Sequence, residues 1–134
     1  MMSLSISIFS SLQIEPKNWK LNIVLFPFRH LFPSFLQFEF LKRSESLSQN
    51  DGIILAGIET HICVYQTERD LIRRGHHVEV VTNAVGSRDK NNHDIALDRI
   101  RNNGGFLTTV EMLLFNLQEK AGGERFKKLT KLIK

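Results

Sequence analysis

The sequence predicts an α/β domain, a three-layer parallel sheet with helices on its faces, whose N-terminal half is irregular. Three observations lead there. From residue 51 onward, apolar runs of strand length alternate with apolar residues at helical spacing. The run from Ile53 to Ile58 is interrupted by no polar residue, as in a parallel strand covered on both faces. The composition also breaks near residue 51: all eight glycines and every aspartate lie at or after it, whereas all three prolines and seven of the ten phenylalanines precede it. Residues 1–50 are therefore read as a divergent or truncated segment and residues 51–134 as the C-terminal part of the domain.

Three strands make a thin sheet, so the first half should add more. Its best strand is "KLNIVLFPF" (Lys20 to Phe28), with Pro27 tolerated near the end or at a sheet edge. A polar surface connection, Arg43 to Gly52, leads to Ile53–Ile58. The helix that follows ends near Gly75, a residue suited to a left-handed cap. It turns Val64, Tyr65, Leu71 and Ile72 inward and Glu68, Arg69, Arg73 and Arg74 to water. "HVEVVT" (His77 to Thr82) is the next strand and "NAVGSRDKNN" a loop. His93, Ala96, Leu97 and Ile100 recur at i, i+3, i+4, i+7, a helix stopped by Gly104 and Gly105. "FLTT" is a short strand. Val110, Leu113, Leu114 and Leu117 mark another helix, and Phe126, Leu129 and Ile133 a last one with a basic outer face. The order β-α-β-α-β-α requires right-handed crossovers.

A chain of 134 residues is long enough for one domain with a core. Its single cysteine excludes an internal disulfide, and no ligand spacing supports a metal. This suggests a reducing compartment, the cytoplasm by default and the mitochondrion as the alternative. The net charge of +4 is spread along the chain and reads as solubility rather than nucleic-acid binding. The most apolar stretch, "LNIVLFPFRHLFPSFLQFEF", is cut by Pro27, Arg29, His30, Pro33 and Glu39, so neither a membrane span nor a membrane partner is expected. "MMSLSISIFSSLQI" lacks the basic start and cleavage site of a signal peptide.

Chemistry concentrates where Ile53–Ile58 runs into "ETHICV". Cys63 is open to two readings: a small buried apolar residue, or a nucleophile whose thiolate a helix N-terminus supports. His61 is a possible base, but two residues along a helix it points to another face and also suits a surface or turn-capping role. Arg88 and His93 could present themselves to an anion, or be a solvated loop residue and a core histidine. The basic helix from Glu124 to Lys134 reads as a solvated amphipathic face.

"LAGIETHICV" (Leu55 to Val64) resembles the G-x-x-T-x-x-C-V signature of isochorismatase-like cysteine hydrolases. The segment "LIRRGHHVEVVTNAVGSRDKNNHDIALDRIRNNGGFLTTVEMLL" is similar to that family's later strands and helices, and the wording is nearest to eukaryotic isochorismatase domain-containing proteins. The resemblance covers about residues 51–134. It implies a parallel sheet between helices, no cofactor, and an Asp, Lys, Cys triad hydrolysing small amides or related carbonyl compounds. Carried over, the nucleophile falls on Cys63. A non-proline cis peptide falls on Ile58–Glu59, the amides of Glu59 and Cys63 form the oxyanion hole, and Thr60 secures the turn. Family members often associate through their helices, so a homo-oligomer is expected.

The departures lie upstream. No aspartate precedes Asp51, and Pro27 and Phe28 stand where the family acid should follow "VLF". His30 sits near the expected lysine position, as a possible substitute; Lys20 and Lys42 fit poorly, and Glu15 or Glu39 would have to fold to the sulfur to supply an acid. Without such groups nothing takes the thiol proton. The sequence thus supports a cysteine hydrolase by descent, impaired by the missing partners; a catalytically inactive member acting through protein contacts; or a small-ligand-binding α/β module.

Overall fold

A computed structural model describes residues 21–26, 52–118 and 120–133. Four strands form one parallel sheet in the order β1-β2-β3-β4: Leu21–Phe26, Gly52–Ile58, His77–Gly86 and Phe106–Thr108. The strand expected between Lys20 and Phe28 is β1, which pairs with β2 from Leu21 opposite Gly52 to Phe26 opposite Gly57. After β2 comes one wide π turn, Thr60–Val64, continuous with α1 (Tyr65–Arg73). The remaining helices are α2 (Lys90–Asn102), α3 (Val110–Gln118) and α4 (Gly123–Leu132).

Both faces of β2 are buried, as its unbroken apolar run requires. Alternate residues of a strand face opposite ways. Ile53 and Leu55 join Val78 and Val80 of β3, Val64, Leu71 of α1 and Ile100 of α2 in the core cluster, while Ile54 and Ala56 are buried on the other face. Each full burial of such a side chain is worth about 1.5–3 kcal/mol, which holds α1 and α2 against this face of the sheet.

The two crossover helices end alike. Gly75, at φ 85°, lets the amides of Gly75 and His76 bond the carbonyls of Ile72 and Leu71. Gly104, at φ 95°, lets the amides of Gly104 and Gly105 bond those of Arg101 and Ile100. This is the paired bonding of a Schellman cap, which needs a residue at positive φ. At the other end of α2, the Asp89 carboxylate accepts from the Asn92 amide at 2.8 Å. Asp89→Ala should cost about 1 kcal/mol, read as a lower urea midpoint with an unchanged slope.

Three expectations need correction. The strand from His77 does not end at Thr82 but runs to Gly86, and α2 begins at Lys90, three residues before His93. A register shift explains the first: Leu55 pairs with Val80 but Gly57 with Val85. The polar residues between them bond outward, Thr82 Oγ1 donating to the Thr108 carbonyl and Asn83 Oδ1 accepting from the Val110 amide. Glu68 does not face water but is fully buried. It falls at i+4 from Val64 and three before Leu71, on the inward stripe of α1, and Gly105 leaves the space that its carboxylate fills.

Helices α3 and α4 contain no buried residue, and they meet through Phe115 and Phe126, whose rings lie 5.9 Å apart at 67°. No described helix is long and apolar enough to cross a membrane.

Candidate functional site

The carboxyl ends of β2 and β3 lie side by side, with Ile58 opposite Gly86. In an open parallel sheet this edge is where loops and helix N-termini form a crevice. The Ile58–Glu59 peptide bond at the end of β2 is cis. Glu59 is still extended (φ −92°, ψ 134°), and its carbonyl accepts from the amides of Ile62 at 3.2 Å and Val64 at 3.3 Å, closing the wide turn. Cys63 lies within that turn, half-buried and in no disulfide. The chain therefore enters the helix through a π turn rather than an α-helical first turn.

Three side chains fasten the turn to the segment after β3. Glu59 is buried, and its Oε2 accepts from the Arg88 amide at 3.1 Å. His61 Nδ1 lies 2.9 Å from Ser87 Oγ and 3.6 Å from Glu59 Oε2. Thr60 is fully buried, with its hydroxyl 2.9 Å from His93 Nδ1. Glu59, His61 and Ser87 thus form a polar group beside the cysteine turn, closed on one side by a backbone amide. Burying a carboxylate costs free energy unless it gains donors, and the Arg88 amide is one.

Of the residues named from the sequence, the fold brings Ile58, Glu59, Thr60 and Cys63 together in one turn. His30, Glu15, Glu39, Lys20 and Lys42 lie outside the described residues. His61 is not a free surface histidine, and His93 is half-buried as a partner of Thr60 rather than a fully enclosed core residue. Sequence reasoning missed the Glu59 carboxylate and Ser87. The available signal was a polar "GSRD" at the end of a strand neighbouring the cysteine strand, where site loops collect. Among the described residues no three His, Cys, Asp or Glu side chains are grouped to hold a metal ion.

The model of the isochorismatase domain matches residues 23–112 of this sequence. The chain belongs to the isochorismatase family. The match begins inside β1 and runs into α3, so that strand and the cysteine turn fall within one family domain. The secreted isochorismatase effector Isc1 of Phytophthora sojae is 45% identical over 89 residues, 66% of this chain and 42% of that protein. This isochorismatase-family chain thus spans less than half the length of that curated relative. Among solved structures, the MAR1 ribonuclease of Caenorhabditis elegans superposes with a TM-score of 0.63 at 29% identity, covering 83% of this chain and 68% of its own. The YcaC protein of Escherichia coli, described as an octameric hydrolase of unknown specificity, does so with a TM-score of 0.60 at 25% identity, covering 69% and 46%.

Proposed function

We propose that this isochorismatase-like chain acts as a cysteine hydrolase of small amides or related carbonyl compounds, with Cys63 as the nucleophile. The observation that carries this reading is a half-buried cysteine in the turn directly after β2, at the carboxyl edge of a parallel sheet in a hydrolase-family domain. The sulfur attacks the carbonyl carbon, the carbon–nitrogen bond breaks, and the amine leaves with the proton lost by the thiol. Water then cleaves the thioester, releasing a carboxylic acid and restoring the thiol. The amides of Glu59 and Cys63 serve as the oxyanion hole, and Thr60, held by His93, supports the turn. In the same reading His30 takes the place of the family lysine. Residues 51–134 form the C-terminal part of the hydrolase domain, after a divergent segment 1–50 that contributes β1.

The test is a panel of small primary amides with mass spectrometry of the intact chain. Ammonia release and a thioester adduct on Cys63, both lost in Cys63→Ala, are the expected results. A thiol that iodoacetamide alkylates but that turns over no amide would leave the inactive reading, action through protein contacts. A thiol that does not react in the folded chain would overturn the nucleophile itself.

Two imidazoles at one turn favour a second reading. His61 and His93 are the residue types for paired acid–base work on a phosphodiester, and the C. elegans neighbour is named a ribonuclease. Cleavage of single-stranded RNA that survives Cys63→Ala and fails in His61→Gln would select it. We also propose a homo-oligomer. Val110 and Met112 on α3, 44% and 53% exposed, leave apolar surface for a second copy, and the E. coli neighbour is described as octameric.

A further inference from the structure

We infer that Asn103 is a site of spontaneous deamidation, and that the acid it becomes unseats the buried Glu68 beside the end of α2. Asn103 and Gly104 are the one Asn–Gly pair in the chain. The conformational freedom of a glycine lets its own main-chain nitrogen reach the side chain of the residue before it. The fold leaves this pair open. Asn103 is the exposed C-cap of α2, and nothing lies within 4 Å of the Cβ position of Gly104. The Gly104 amide is held by a bond of 3.3 Å to the Arg101 carbonyl. Local opening of an exposed helix end costs far less than global unfolding, so this bond is broken often enough to release the nitrogen.

In the reaction the Gly104 nitrogen, its proton taken by solvent base, bonds to Asn103 Cγ. The bond from Cγ to Nδ2 breaks and ammonia leaves. Water then opens the five-membered imide at either carbonyl, leaving aspartate or isoaspartate, so that one water is consumed and no oxidant or cofactor is needed. Glu68 makes this position consequential. The departing Nδ2 is a donor to Glu68 Oε2, at 3.4 Å, and Glu68 Oε1 already lacks a partner among the described residues. Deamidation therefore takes a donor from a fully buried carboxyl and sets a like charge where that donor stood. Isoaspartate also adds a methylene to the main chain at position 103, two residues before Gly105. Gly105 packs so closely on Glu68 that a Cβ there would lie 2.5 Å from Oε1, so the main chain has no room to shift toward it.

Ageing the full chain at physiological pH and temperature tests the site. Peptide mapping by mass spectrometry should place the earliest amide-to-acid conversion at Asn103, with both aspartate and isoaspartate as products, and Asn103→Ser should abolish it. Urea midpoints read the consequence. Asn103→Asp should have a lower midpoint than Asn103→Ser, which loses the same amide donor without gaining a charge. In a Glu68→Gln background most of that difference should disappear, because the second carboxylate is gone. Conversion that comes first at another asparagine, or none at Asn103, overturns the site. Equal midpoints for Asn103→Asp and Asn103→Ser, or a gap that Glu68→Gln leaves unchanged, overturn its tie to Glu68. Neither readout involves Cys63, so the outcome is independent of the hydrolase reading.

Discussion

Gly105→Ala should destabilise the domain by about 1–3 kcal/mol, the usual cost of forcing atoms into a filled core. A methyl group at Gly105 would lie 2.5 Å from Glu68 Oε1 and 2.9 Å from Ile100 Cγ2. Both neighbours belong to buried side chains with little room to retreat. The cost is steric, because Gly105 is not among the glycines at positive φ. Gly104 is the contrast: its φ is 95° and nothing lies within 4 Å of its Cβ position, so Gly104→Ala strains the backbone alone, at about 1 kcal/mol. Urea unfolding of the two variants checks the ranking. In a Glu68→Ala background the penalty at Gly105 should shrink, since the nearer of the two clashes is gone, and a double-mutant cycle reads that coupling directly. Equal penalties in both backgrounds would show that Ile100, not Glu68, sets the requirement for glycine.

Glu68→Met should stabilise the domain at neutral pH by about 1–3 kcal/mol, the usual cost of a buried polar atom without a partner. Glu68 Oε1 is such an atom among the described residues, and Oε2 has only a long bond from Asn103 Nδ2 at 3.4 Å. Burial pushes the Glu68 carboxyl above its ordinary value of 4.5, against the smaller opposing pulls of Asn103 and Arg69. A raised pKa in the folded state means that the folded chain holds this proton more tightly than the unfolded chain. Lowering the pH from neutral through the folded value toward 4.5 therefore favours the wild-type fold, and raising it back removes that contribution. Methionine has no proton to exchange, so the advantage of Glu68→Met should be greatest at neutral pH and shrink as the pH falls to about 4.5. Thermal melts of both proteins across that range check it. A constant difference in melting temperature would mean that the carboxyl titrates alike folded and unfolded. Asn103 is not stranded by the change, since it is exposed to water.

Much of the frame follows from local chemistry that a sequence displays. An uninterrupted apolar run of strand length suits a strand covered on both faces, and β2 is one, with Ile53, Leu55, Ile54 and Ala56 all buried. Gly75 and Gly104 end α1 and α2 because each supplies the positive φ that a Schellman cap needs. The signature from Leu55 to Val64 placed the chain in its family, which the match over residues 23–112 shows. Other features depend on partners far along the chain. Glu59 meets Arg88, His61 meets Ser87 and Thr60 meets His93 across 26 to 33 residues, through bonds that exist only once β2 and β3 lie side by side. Polarity alone also misled. Asn83 resembles a loop residue because its partner, the Val110 amide, sits at the start of a helix 27 positions later. Glu68 resembles a solvated residue because the space that buries it is left by a glycine 37 positions later, at Gly105. Spacing and turn chemistry act within a few residues and can be read in order. A buried polar group is decided by which distant atom reaches it, and only the folded chain specifies that.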